Sequence, residues 1–526
     1  MTQILTNISA KLLLNKKKIY FLIIVLNSFL FTFYYGYRGI FPLDSFLIFD
    51  AGYKVLNNIH PFKDYWSITG PLLDYIQFSL FYLFNVNWLS YVLHAALINC
   101  LLASLSYFFF LNIGLNFFFA FIYSICISIL AYPITGTPFM DLHAVIFSLL
   151  SIIFLILALI KNEKKFWFFS PVFLALSFFS KQIPSAYIGI LLGIIILMYV
   201  FLIKKNNNNF IYFFIGGAIS ILLFLNLLYF NQIPIKNFLI QYIYYPMTIG
   251  DERMVNTTFD LKNTLFQFKF IYISVLPLLI VLFFLAKVKN KNRESRIDLL
   301  ILILIFSSVL IFIYTQMLTK NQILIFFLVP FFLGISHFYI SKYLNKKIII
   351  YLILIVLLIS TSKYHLRFNE QKKFMEFKNA DFSRAIDGKI LDTKLTGLKW
   401  ITPDYIKEPS LELKLLNEAK QILIKDKKNK IIVSDYQILP AITKSANYAP
   451  NKWFDVLSVP SKTNKYFNDY KSFFLFKIKE QKIENIYIIG RSKLDFLLLI
   501  FNEKECLNYK RLNDITVKLE IKNCIM

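Results

Sequence analysis

Between residues 19 and 363 the chain is built mainly from apolar runs about as long as a bilayer-crossing helix, and this excludes most folds. Crossing the hydrocarbon takes roughly 20 apolar residues in a helix, because each backbone polar group must find its partner within the segment. The runs fall at 19–35, 87–111, 115–133, 141–160, 166–181, 183–203, 210–230, 270–287, 297–316, 322–341 and 347–363. They predict a polytopic α-helical membrane protein with about 11 transmembrane helices. Hydrophobic residues make up 57% of the chain, against about 45–50% in an ordinary soluble domain.

Basic residues between the runs set the expected orientation. Lys11 and Lys16-Lys17-Lys18 precede the first run. Lys161/Lys164/Lys165, Lys204-Lys205, Lys287/Lys289/Lys291/Arg293/Arg296 and Lys342/Lys346/Lys347 all fall on the same side as that cluster. Lys and Arg favour cytoplasmic loops, so we expect a cytoplasmic N-terminus in an inner (plasma) membrane. The loop after the first span, the loop 231–268 and the tail after 364 are then extracytoplasmic, or periplasmic. Tyr34-Tyr35-Gly36-Tyr37-Arg38 follows the first run in place of a small-residue cleavage site, so an uncleaved first span is expected. The net charge of +26 follows from these short lysine runs and does not predict a nucleic-acid partner.

The tail, 366–526, is polar and reads as a second domain. Lys430–Asp435 and Asn485–Gly490 are short β-type runs, and Leu411–Lys425 has a helical pattern. Strands alternating with helices predict an α/β domain. No glycine-rich phosphate loop opens either strand, so nucleotide binding is not expected. The tail is a candidate to recognise an acceptor, to bind a partner or to cover a site. Cys506 and Cys524 lie in it, and a bridge between them would close a loop of roughly 19 residues and contribute on the order of 3 kcal/mol. Cys100 and Cys126 lie in apolar runs and read as packing residues.

Chemistry-bearing residues concentrate in the first loop. It contains Asp44 in Phe41-Pro42-Leu43-Asp44-Ser45, then Asp50, His60, Lys63 and Asp64, then Gly70-Pro71-Leu72. Residues 50–58 and 71–84 read as interfacial helices, too short to span. Carboxylates at a membrane surface are costly unless solvated or paired. The plain reading of Asp44, Asp50, His60 and Asp64 is a set of solvated loop side chains.

Asp141 and His143 open a later span, where an acidic residue suits the helix N-terminus as a cap and also suggests a polar cavity. Lys181 stands at a helix junction on the face with few lysines; it reads as a phosphate ligand or as a side chain snorkelling to the surface. Arg253, in Gly250-Asp251-Glu252-Arg253, is either a phosphate fork or a local partner of its acidic neighbours. No HExxH, GxSxG, Walker or CxxC pattern appears, so hydrolase, ATPase and redox readings lack a motif.

In this order the features resemble the membrane glycosyltransferases of the GT-C fold, especially bacterial relatives of the protein mannosyltransferases. Those enzymes carry an aspartate just after the first span, an interfacial helix, a Gly/Pro-Tyr/Phe-x-Asp element and a helix opened by Pro-Leu. The counterparts here are Asp44, residues 50–58, Pro61-Phe62-Lys63-Asp64-Tyr65 and Gly70-Pro71-Leu72. Asp141 and Lys181 resemble the family's later acidic residue and lysine. The resemblance covers about residues 1–365 and is weaker in the tail. Asp44 is followed by Ser45 where the family often has Asp-Glu, and Ile68-Thr69 stands where it often has a lysine.

The resemblance implies inverting transfer of a sugar from a polyprenyl-phosphate carrier to a glycan, lipid or protein acceptor outside the cytoplasm, in contact with membrane lipids. Asp44 is then the catalytic base. Asp141 is a second catalytic candidate, to orient the acceptor, assist Asp44 or hold a divalent cation, the one cofactor left open. Lys181 and Arg253 are candidates for the donor phosphate; Asp50, His60, Asp64 and His143 support. The rival readings are a transporter or flippase of a lipid-linked or amphipathic solute, an O-antigen ligase or polymerase, and a membrane scaffold. A transporter would favour ionisable residues near the midplane, whereas here they crowd the outer ends.

Overall fold

The computed structural model describes residues 2–131, 136–202, 208–255, 257, 260–287, 292–320, 324–375, 377, 380–446, 448–490, 494–501 and 507–522. The first helix is α1 (Thr2–Gly36). The loop after it folds into α2 (Pro42–Ser45), α3 (Leu47–Leu56) and α4 (Leu72–Phe84). The bundle continues with α5 (Trp88–Ile113), α6 (Phe117–Leu130), α7 (Met140–Lys161), α8 (Lys164–Ser180), α9 (Ser185–Leu202) and α10 (Ile211–Phe230). A second long loop carries α11 (Ile235–Phe238) and α12 (Tyr245–Val255). Then come α13 (Lys269–Lys287), α14 (Arg293–Thr319), α15 (Leu328–Tyr343) and α16 (Lys347–Tyr364).

Among the described residues, eight helices are long and apolar enough to cross a membrane, so this is a multi-pass membrane protein. Three further expected spans are helices of lesser length: α6 with 14 residues, α8 with 17 and α15 with 16. Local causes shorten two of them. Lys181 takes extended backbone and stops α8. α15 starts only at Leu328, with Pro330 in its first turn, where a missing N–H costs little.

α7 runs through the middle of the bundle. It is apolar all round and buried from Met140 to Leu159, as expected of a helix with no polar face. It also separates two ends of the molecule, because Asp141 and Lys161 lie about 30 Å apart at 1.5 Å per residue. At the Lys161 end, Lys161, Arg293 and Lys342 line one cavity. The end containing Asp141 also holds the first loop and the tail.

The tail has a two-stranded ribbon of β1 (Ile386–Asp387) and β2 (Lys399–Trp400). After it come α17 (Pro409–Lys425), β3 (Lys430–Ser434), α18 (Leu439–Ile442), α19 (Phe467–Glu480), β4 (Asn485–Ile489), α20 (Leu494–Ile500), β5 (Leu507–Arg511) and β6 (Thr516–Ile521). The main sheet has the order β3-β4-β6-β5, with β3 and β4 parallel and the other neighbours antiparallel. Ile431 pairs with Ile486 and Val433 with Ile488. β4 is buried throughout, which accounts for its unbroken apolar run. The edge strand β5 carries exposed Lys510 and Arg511, which discourage pairing with another chain.

The tail packs directly on the first loop. Gly39 and Ile40 donate to the carbonyls of Lys399 and Ile401 at 3.0 Å, and Lys399 donates to the carbonyl of Tyr37 at 2.9 Å. Trp66 donates to the Pro450 carbonyl and accepts from the Lys452 amide. Aromatic rings continue this contact, with Phe46 stacked on Trp400 and Trp400 on Tyr436.

This packing alters one expectation for the first loop. The helix anticipated over 50–58 begins at Leu47, and residues 47–55 are all buried. Its charges are neutralised internally: Lys54 and Asp50, one turn apart, pair at 3.0 Å. Lys54 also donates to the Asn451 carbonyl at 3.1 Å and lies 4.8 Å over the ring of Tyr65. The second helix falls at Leu72–Phe84, close to its expected limits, and exposes Tyr82, Leu83 and Phe84.

Candidate functional site

Asp44 sits in a short helix whose start is fixed by Pro42 and by a hydrogen bond from the Phe41 amide to Ser45 Oγ at 3.0 Å. The Tyr91 hydroxyl donates to the Ser45 carbonyl at 2.8 Å and pins the same turn to α5. Asp44 is only 7% exposed, so it is not a solvated loop carboxylate. Burial pushes its carboxyl up to about 7. Asp455, Asp141 and Asp435 add to that rise and Lys181 opposes it, so these four side chains are its electrostatic neighbours.

Two glycine contacts bring Asp141 and Lys181 to this place. Gly136 packs backbone to backbone on Gly36, and a Cβ on Gly136 would fall 2.5 Å from Gly36. That contact brings the start of α7 to the end of α1. Gly70 is tighter: a Cβ there would fall 1.8 Å from the Phe179 carbonyl oxygen, so only glycine lets the first loop lie against the end of α8. The Gly70 amide donates to the Ser180 carbonyl at 3.1 Å, which carries the next residue, Lys181, to the first loop. Gln182 secures the junction by donating to the carbonyls of Ile68 at 2.9 Å and Tyr242 at 2.6 Å.

Lys181 Nζ and Asp141 Oδ1 are 2.5 Å apart, with side-chain exposures of 18% and 5%. The N-cap position of α7 is Phe139, so Asp141 is not the cap residue; it lies in the first turn, where the helix dipole favours a carboxylate. Snorkelling does not describe Lys181 either, since its ammonium is held by a buried carboxylate.

The other residues picked out in the sequence have other surroundings. Asp50 pairs with Lys54. The His60 amide donates to Asp64 Oδ2 at 2.8 Å, and the His60 ring meets the Tyr75 hydroxyl at 3.1 Å. Asp64 Oδ1 accepts from Lys477 of the tail at 3.2 Å. His143 is buried inside the bundle, donates through Nδ1 to the Phe139 carbonyl at 2.9 Å and packs edge-on against His94.

Arg253 lies in α12, eight residues and about 12 Å beyond Tyr245, whose hydroxyl donates to the Leu457 carbonyl. Among the described residues Arg253 forms no ion pair, so of its two readings the local pairing is not formed, and its Nε has no hydrogen-bond partner. Cys506 and Cys524 lie outside the described residues.

Sequence reading missed the contribution of the tail. Asp435 and Asp455 both act on Asp44. Asp435 directly follows β3, and the carboxyl end of a parallel strand is where ligand-binding residues concentrate in open α/β sheets. That signal was present in the sequence, although the facing partner was not. Among the described residues no group of three or more His, Cys, Asp or Glu side chains is arranged to hold a metal ion.

The arrangement places a carboxyl that titrates near neutrality beside a cation with a carboxylate partner, in largely buried surroundings. Such a pair can accept a proton from a hydroxyl and steady a negative leaving group. No family model and no curated protein matches this chain.

Proposed function

We propose that the protein is a GT-C-type glycosyltransferase that moves a sugar from a polyprenyl-phosphate carrier to an acceptor hydroxyl on the extracytoplasmic face. The observation that carries this reading is the buried Asp44 with its carboxyl near pH 7, electrostatically coupled to the Lys181–Asp141 pair. A base works best when its pKa lies near the operating pH. In the proposed reaction Asp44 takes the acceptor proton and the acceptor oxygen attacks the anomeric carbon with inversion. The anomeric carbon–oxygen bond to phosphate breaks, and the phosphate leaves with the bonding electrons.

The departing phosphate needs a cation but little protonation, and Lys181 supplies that charge by exchanging its Asp141 contact for a phosphate oxygen. Asp141 holds the ammonium in position before the donor arrives. Arg253 is not among the charged groups named as acting on Asp44, and no part there is assigned to it. The proposed orientation is supported by the clustering of Lys161, Arg293 and Lys342 at the opposite end of α7. The test is transfer in vitro from a set of polyprenyl-phosphate sugars, comparing the parent with Asp44→Asn. Full activity in a folded Asp44→Asn protein would reject the assignment.

A further inference from the structure

A cavity of about 360 Å³ lies between the Asp44 turn and the tail, lined by Phe41, Pro42, Leu43, Tyr405, Asp435 and Tyr436 among others. Its volume falls in the range of small-molecule sites. We propose that this cavity is the acceptor site and that the acceptor it takes is a saccharide. The inference rests on the transferase reading for the word acceptor and on the cavity alone for the ligand class.

Asp435 follows β3 and Gly490 follows β4, so the floor of the cavity is the carboxyl end of the parallel strand pair, where open α/β sheets bind ligands. The opposite wall is Phe41-Pro42-Leu43, which leads directly into Asp44. Asp435 belongs to the lining and also acts electrostatically on Asp44, so the cavity adjoins the turn that carries the base.

Tyr436 is a fixed and mostly buried part of the wall: its hydroxyl donates to Glu412 at 2.6 Å and its ring stacks on Trp400. Glu412 also accepts from Trp400 Nε1 and Thr402 Oγ1, each at 2.9 Å. Gly490, at φ +92, lets the Tyr436 ring pass where a Cβ would stand 2.9 Å from it. Tyr405 and Phe41 add further aromatic surface, and Asp404 and Asp435 add carboxylates.

Flat rings next to hydroxyl-accepting carboxylates suit a ring compound with one apolar face and several hydroxyls. A lipid tail would strip water from the exposed Asp404 carboxylate and offer no polar contact in return. A peptide would be held mostly through its backbone along a strand edge or a long groove, whereas this lining consists mainly of side chains at strand ends.

Binding tests the idea without donor. Full-length protein in nanodiscs is applied to a panel of immobilised oligosaccharides and, in parallel, to Ser/Thr-containing peptides. We expect a subset of the oligosaccharides to be retained, at least a tenfold loss of retention in Tyr405→Ala and near-parent retention in Tyr405→Trp, which keeps an aromatic face. Retention of peptides only, no retention of any saccharide, or saccharide retention that Tyr405→Ala leaves intact would overturn the proposal. Saccharide binding with no transfer from any polyprenyl-phosphate sugar would remove the proposed reaction and leave the site. Transfer that depends on Asp44, with an acceptor KM indifferent to Tyr405→Ala, would do the reverse.

Discussion

Lys452 of the tail donates to Asp74 of the first loop across 2.6 Å, and neither side chain is more than 4% exposed. The second Asp74 oxygen accepts from the Tyr65 hydroxyl at 2.9 Å, so the carboxylate is held on both sides. A buried pair of this kind gives little net stability over an apolar pair, but losing one partner leaves a charge stranded. The contact therefore makes the fold of the tail and the fold of the first loop depend on each other.

Lys452→Met alone should lower stability by about 3–5 kcal/mol, and Asp74→Leu combined with Lys452→Met should recover most of that loss. Thermal unfolding in detergent measures both, and limited proteolysis of the tail should follow the same order. A single variant as stable as the parent would show that the pair does not join the two parts.

Asp44 should make stability depend on pH. Its carboxyl ionises near 7 in the folded chain and near 3.8 in its ordinary state. Between these values the folded protein keeps a proton that the unfolded chain has released. Stability from this group is thus present below about pH 4, falls as pH rises toward 7 and stays low above it. Asp44→Asn should then gain on the order of 4 kcal/mol over the parent above pH 7 and nothing below pH 4. Melting temperatures of both proteins at pH 5 and pH 8 decide it; a difference that does not change with pH would contradict the burial of an ionising Asp44.

Much of this arrangement is legible in the sequence. The apolar runs locate the helices because bilayer length is a strict requirement. The runs at 430–435 and 485–490 become adjacent parallel strands, paired from Lys430–Asn485 to Ser434–Ile489. Asp44, Asp141 and Lys181 are recognisable as polar residues at helix ends. The buried state of Asp44 is not legible, because it depends on a tail more than 300 residues away. The role of Asp64 and the burial of the Asp50–Lys54 pair are hidden for the same reason: Lys477 and Asn451 of the tail supply the contacts to Asp64 and Lys54. Asp74 escaped notice inside an apolar helix, because its ion-pair partner Lys452 lies 378 residues further along the chain.

Lys181 should matter to the chemical step. Lys181→Ala is expected to lower kcat by about 10²–10³, the usual effect of removing one preorganised charge from a developing anion, with a smaller change in KM. Lys181→Arg should restore part of the loss. Steady-state kinetics with a fixed acceptor and varied polyprenyl-phosphate sugar measure the split. A change confined to KM would place Lys181 in ground-state binding only.

The orientation has its own test. With the native cysteines replaced by serine, exposed Lys462 and exposed Lys165 are changed to cysteine one at a time. A membrane-impermeant maleimide should label Lys462→Cys in intact cells and reach Lys165→Cys only after lysis. The opposite pattern would invert the topology and move the Asp44 site to the cytoplasmic face.

The central claim is that Asp44 is a base that must be ionised, and a pH profile of sugar transfer tests it most directly. For the parent protein, kcat/KM with a polyprenyl-phosphate sugar should rise about tenfold per pH unit below 7 and level off above it. Asp44→Asn should be nearly inactive throughout and lack that rise. A parent profile flat from pH 5 to 8, or an Asp44→Asn protein with parent-like activity, would contradict the account.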